Sequence, residues 1–139
     1  MDAAPAPVRH TLTRAVEPPD IDELGHVNNG VYVRWVQDAA ISHWTTDAPP
    51  EDQAALVWVV TRHEIDYLRP AMPGDEVRIE TWVGPVFGRD FERNTEIFRA
   101  RDGKVLCRAR TLWCPLDRAT GRPTKVGEAV RERFSVRGA

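Results

Sequence analysis

One stretch limits what this chain can become. Beyond Asn29, apolar residues recur at Tyr32, Trp35, Val36, Ala39, Ala40 and His43-Trp44, the stripe that a helix with 3.6 residues per turn lays on a core. The spacing predicts a helix over 29–44 that stops before Thr45-Thr46-Asp47, with Pro49-Pro50 beyond it. It is the only long helix the pattern supports, so its apolar face has to be buried against strands.

Strands are what the flanking sequence offers. Residues 9–16 interleave β-branched and polar residues until Pro18-Pro19 removes the ladder donors. Residues 56–68 are β-branched and free of Gly and Pro, and read as a central strand with Trp58, Val60, Arg62 and Glu64 on one side. Val57, Val59, Thr61, His63, Ile65 and Tyr67 then take the other side. A loop over 70–75 contains the turn signal Pro73-Gly74. In 76–83, Val77, Ile79, Thr81 and Val83 alternate with Glu76, Arg78, Glu80 and Trp82, one face buried and the other wet. Gly84-Pro85 and Gly88 interrupt the pattern. Segments 91–100 and 104–116 are joined by Arg101-Asp102-Gly103, whose Asp-Gly pair favours a tight hairpin. After a polar loop over 117–123, residues 126–134 can form a short terminal helix. The order of one strand, one long helix and four strands predicts an α+β fold, a single antiparallel sheet wrapped around one helix.

At 139 residues the chain fits one domain, able to bury about two-thirds of its unfolded surface. We expect that domain over 8–139, after a small, proline-containing N-terminal tail over 1–7 that lacks the basic start and apolar run of a signal peptide. No window reaches the ~18 apolar residues of a membrane span. A soluble cytoplasmic protein is the resulting expectation. With 19 basic and 21 acidic residues, net charge −2, there is no broad field for nucleic acid or an anionic membrane, so recognition has to be local. Cys107 and Cys114 stand on one strand-like run, about 23 Å apart on opposite faces, and are expected to be reduced packing residues.

Chemistry concentrates just before the helix. The run from Asp20 to Tyr32 gathers Asp20, Asp22, His26, Asn28 and Asn29 around Gly25 and Gly30. Asn28 or Asn29 is the expected N-cap. The unpaired N–H groups of the first turn and the helix dipole make that end attractive to negative charge. A carboxylate beside such donors suits acyl transfer, which needs a nucleophile or base and a support for an oxyanion. Asp20 would share a face with Asp22 along an extended chain. Asp20, Asp22, Glu23 and His26 fit no zinc or calcium spacing, and no metal is expected.

The pattern Asp22-x-x-Gly25-His26-Val27-Asn28-Asn29-x-x-Tyr32, followed by a long helix and an alternating sheet, resembles the hotdog-fold acyl-CoA thioesterases of the 4-hydroxybenzoyl-CoA thioesterase superfamily. Glu64-Ile65-Asp66-Tyr67-Leu68-Arg69-Pro70-Ala71-x-Pro73-Gly74-Asp75 is a second segment typical of them. The resemblance implies that Asp22 is the nucleophile or general base, with the amide of Asn29 polarising the thioester carbonyl. In plant acyl-ACP thioesterases Asp22 and His26 match a catalytic aspartate and histidine, while Leu24 stands where those enzymes have a catalytic asparagine. A further branch has a histidine at the Asn29 position. Arg89 matches a basic position for CoA phosphates, though Phe87 and Gly88 replace its basic neighbours; Arg62 and Arg93 are candidates by strand placement. Asn28 caps the helix beside the substrate, and Tyr32, Trp35, Val36 and Trp58 could line an acyl slot. The implied assembly is a homodimer or homotetramer with a continuous sheet and active sites at the subunit junction. No cofactor is called for. Two other readings share the fold: an enoyl-thioester hydratase or dehydratase, whose glycine-aspartate-x-asparagine-proline segment this chain lacks, and a non-catalytic acyl-thioester binding module.

Overall fold

The computed structural model describes residues 8–134, so the expected tail over 1–7 lies outside the described residues. The strands are β1 (His10–Ala15), β2 (Leu56–Tyr67), β3 (Glu76–Phe87), β4 (Asp90–Arg99) and β5 (Val105–Asp117). The helices are α1 (Asn29–Asp47), α2 (Pro50–Ala55) and α3 (Glu128–Arg133). The five strands make one antiparallel sheet in the order β1-β3-β4-β5-β2, folded around α1. This is the predicted hotdog architecture.

The helix lies on the sheet through the stripe that announced it. Val31, Tyr32, Trp35, Val36, Ala39, Ala40 and His43 are all buried. Across from them the inward residues of β3 to β5, including Val77, Ile79, Ile97, Cys107 and Ala109, complete the core. Each such aliphatic side chain contributes about 1.5–3 kcal/mol when fully buried. The alternation of Val77, Ile79, Thr81 and Val83 against wetter neighbours holds residue by residue.

Three expectations are corrected. Helix α1 does not stop before Thr45 but runs to Asp47, because Thr45 folds its hydroxyl back onto the Ile41 carbonyl at 2.9 Å instead of breaking the turn. Pro50, with its ring angle suited to a first helical turn, then starts the unanticipated α2. Strand β2 is an edge of the sheet, not its centre; among its residues only Leu56 is buried, and one face is half-buried while the other is exposed. Its register also slips at Thr61, between the pairs Val60↔Trp113 and Arg62↔Leu112. This bulge exchanges the faces, so that His63 and Ile65 turn to the side of Trp58 and Val60. In β3 the strand passes through Gly84 and Pro85 as a second bulge, between Val83↔Arg93 and Val86↔Phe91.

The segment 70–75 is pinned from several sides. Asp75, buried, accepts from the Met72 N–H at 2.9 Å and lies 3.3 Å from Arg99 and 3.4 Å from Arg101. Arg99 also donates to the Pro70 carbonyl at 3.1 Å. Both cysteines are buried and unbridged. Burial pushes the Cys107 thiol up to about 12, which removes it as a nucleophile at neutral pH.

Candidate active site

Residues 21–28 form a loop closed at its base by an antiparallel bridge between Ile21 and Val27. The Asp22 N–H donates to the His26 carbonyl at 3.1 Å and the Gly25 N–H to the Asp22 carbonyl at 3.0 Å. Gly25 takes φ +82°, a left-handed conformation that glycine adopts without strain. From behind, the Ala71 carbonyl accepts the Val27 N–H at 3.0 Å, and the Ala71 N–H donates to the Tyr32 hydroxyl at 2.8 Å. The pinned 70–75 segment therefore fixes the loop against the first turn of α1.

Within this frame the Asp22 carboxylate is held at both oxygens. Oδ1 accepts the Leu24 N–H at 2.9 Å, an Asx turn, and Oδ2 accepts from Asn28 Nδ2 at 3.3 Å. Asn28 is the N-cap of α1, its Oδ1 accepting the Gly30 N–H at 2.8 Å. One carboxamide thus ties the carboxylate to the helix start. The Val31 N–H donates to the Asn28 carbonyl and the Asn28 N–H to the Asp20 carbonyl, whereas the Asn29 N–H donates to no group among the described residues. A half-buried carboxylate is thus linked through Asn28 to a helix start whose exposed Asn29 amide is uncommitted, a combination suited to attack on a carbonyl and support of its oxygen.

The other predicted residues fall as follows. The His26 ring makes no hydrogen bond to Asp22 among the described residues; only its backbone does. Asp20 turns away from Asp22, its carboxylate accepting the Glu17 N–H at 2.9 Å, because residues 18–20 form a 3-10 turn instead of the extended chain expected. Tyr32 is 2% exposed, and backs the loop from within the core. Arg62 faces solvent, paired with Glu64 at 2.7 Å. Arg89 is exposed in the β3–β4 hairpin, at the opposite end of the sheet from α1's first turn. One protomer therefore does not bring Arg62 or Arg89 to Asp22. Sequence reasoning did not single out Tyr67, whose hydroxyl donates to the Asn29 carbonyl at 3.3 Å; its place in the 64–75 segment was the available signal. Among the described residues no three His, Cys, Asp or Glu side chains gather as a metal site, and no helix is long and apolar enough to cross a membrane.

A chamber of about 510 Å³ lies elsewhere, between the second half of α1 and the first half of β2. Trp44 in its wall is about 22 Å along the helix from Asn29. Arg93 belongs to this chamber and is buried, so it does not face solvent as a CoA phosphate ligand would require.

A family model described as the thioesterase-like superfamily matches residues 16–134. The chain belongs to that superfamily. Among solved structures of similar fold, a thioesterase from Thermus thermophilus, complexed with coenzyme A and Zn, is 29% identical with a TM-score of 0.77 and 89% of this chain and 90% of that one covered. A 1,4-dihydroxy-2-naphthoyl-CoA thioesterase from Synechocystis shares the fold at 17% identity and a TM-score of 0.79, over 92% and 96% of the two chains. In sequence, a palmitoyl-acyl carrier protein thioesterase of Gossypium hirsutum is 30% identical over 105 residues, 69% of this chain. This thioesterase-like chain spans about a quarter of the length of such curated relatives, 25% in that case.

Proposed function

We propose that this thioester hydrolase cleaves an acyl-CoA to the free acid and CoA, with Asp22 as the reacting carboxylate and the Asn29 amide as the oxyanion donor. The observation that carries the reading is the Asn28 bridge, which holds Asp22 Oδ2 at 3.3 Å and caps the same helix whose first free N–H is that of Asn29. An oxygen of Asp22, or a water it deprotonates, adds to the thioester carbonyl. The carbonyl oxygen takes negative charge against the Asn29 N–H and the positive end of α1. Collapse expels CoA thiolate, and in the covalent branch water then hydrolyses the acyl-aspartyl anhydride. Coenzyme A as carrier is supported by the CoA complex of the Thermus thermophilus protein.

A second subunit completes the site in this reading. Among the described residues of the protomer, strand β2 leaves one edge unpaired, and antiparallel pairing of two such edges would extend the sheet across a homodimer. It would also lay the Leu56 end of one β2 beside the Tyr67 end of the other. That brings the Arg89 hairpin of one subunit toward Asn29 of its neighbour, where CoA phosphates need a cation.

Thiol release measured with a chromogenic reagent over short, long and aromatic acyl-CoAs tests the proposal. Turnover with stoichiometric thiol is the expected result. Hydration of an enoyl-CoA without thiol would favour the hydratase reading, and saturable binding without turnover the binding-module reading.

A further inference from the structure

The chamber at the far end of α1 holds chemistry that the Asp22 loop does not use. Its walls are apolar, with Ile41, Trp44, Trp58, Phe91, Trp113 and Phe134 prominent. Into this lining β4 sets Arg93, 8% exposed. No carboxylate lies within ion-pair distance of it among the described residues. Its Nη1 donates to Thr81 Oγ1 at 3.1 Å and to His43 Nδ1 at 3.0 Å, while Nε and Nη2 donate to nothing among the described residues.

The neighbours do not balance this charge. His43 accepts from Arg93 at Nδ1, so the ring is neutral with its proton on Nε2, which sits 3.3 Å from Asp47 Oδ2 but misaligned for a hydrogen bond. Burial foremost, then Arg93 and the stacked His10, push the His43 pKa down to about 3. Arg93 itself is lowered by burial to about 10 and stays cationic at neutral pH. Glu92, the acid of the lining, is taken by Arg110. Arg118 is spent on the carbonyls of Gln53, Ala54 and Leu56. The indole nitrogens of Trp58 and Trp113, whose rings line the same space, are sealed within the wall and have no acceptor among the described residues. Apart from the Gln37 amide, the uncommitted polar atoms this lining presents among the described residues are Nε and Nη2 of Arg93. Such groups are costly to bury unpaired.

We propose that the chamber binds an apolar chain ending in a carboxylate, which pairs with Arg93 while the chain lies along Trp44, Trp58 and Phe134. Its volume of about 510 Å³ is that of a small-molecule site. A free fatty carboxylate and the distal carboxyl of a dicarboxylic acyl thioester share this chemistry.

Tryptophan fluorescence of the full chain, titrated with dodecanoate and with dodecanol below their aggregation concentrations, reads the chamber directly because Trp44, Trp58 and Trp113 line it. The carboxylate should bind about 10- to 100-fold more tightly than the alcohol, the usual range for a hydrogen bond to a charged group. Arg93→Met should erase that preference. Arg93→Lys, which keeps a cation but loses the guanidinium fork, should weaken it severalfold and gives an answer even where Arg93→Met does not fold. Equal affinity for acid and alcohol in the unaltered protein, or a preference persisting in folded Arg93→Met, overturns the proposal. The second arm rests on the hydrolase reading and its β2-edge dimer, which sets the Leu56 end of the chamber beside the neighbour's Asn29, and compares thiol release from dodecanedioyl-CoA and dodecanoyl-CoA. A roughly tenfold preference for the former, lost in Arg93→Met, identifies the distal carboxyl as the ligand. Equal rates with dodecanoate still bound tightly identify the free carboxylate. Running the binding arm on Asp22→Asn protein separates failure of the chamber from failure of the hydrolase reading.

Discussion

Asn28 does two jobs with one carboxamide, since its oxygen caps α1 and its nitrogen holds Asp22. Asn28→Ala should cost about 1 kcal/mol of stability, and should slow thiol release roughly 10- to 100-fold by loosening Asp22. Asn28→Asp separates the two roles. It keeps an acceptor for the Gly30 N–H and adds charge favourable to the helix start, so thermal stability should stay near that of the parent while activity falls from repulsion of Asp22. His43 supports a prediction on pH. Its folded pKa of about 3 lies below the unfolded value of 6.5, so the unfolded chain binds the extra proton. Stability is then complete above pH 6.5 and declines as pH falls through 6.5 toward 3, by at most about 1.4 kcal/mol per unit for one proton. The groups facing this ring are His10, Arg93 and Asp47, and the lowered pKa of His10 acts in the same direction. Thermal midpoints between pH 7 and 5 should fall in the parent and fall less in His43→Gln. Asp22 and the cap were legible in the sequence because residue type and spacing specify them. The bridge through Asn28 was not, because it depends on the loop closing at Ile21 and Val27.

At the level of elements, the sequence pattern located the helix and all five strands but not their irregularities. The apolar stripe of α1 identified its buried face, since period alone decides that. The bulges at Thr61 and at Gly84 were hidden, because a bulge is a matter of pairing with a partner strand. The edge position of β2 was hidden for the same reason. Gly84 shows how closely such a bulge is packed: a Cβ there would come 2.5 Å from Glu92 Oε2, on a carboxylate already held by Arg110. Gly84→Val should therefore cost about 1–3 kcal/mol, seen as a lower denaturant midpoint.

For the whole molecule, the protomer separates Asp22 from the exposed Arg89 hairpin by most of the length of the sheet, and β2 edge pairing in a dimer is the arrangement that would bring them together. Light scattering should give twice 15.7 kDa, or a larger even multiple. Val59→Glu on the exposed part of β2 should shift the protein toward monomer and lower activity with it. The most direct measurement compares thiol release by the parent and by Asp22→Asn on the acyl-CoA that the parent cleaves fastest, at equal folded concentration. The account predicts a loss of about 100-fold or more, with mass and thermal midpoint unchanged. Parental turnover by folded Asp22→Asn would contradict it.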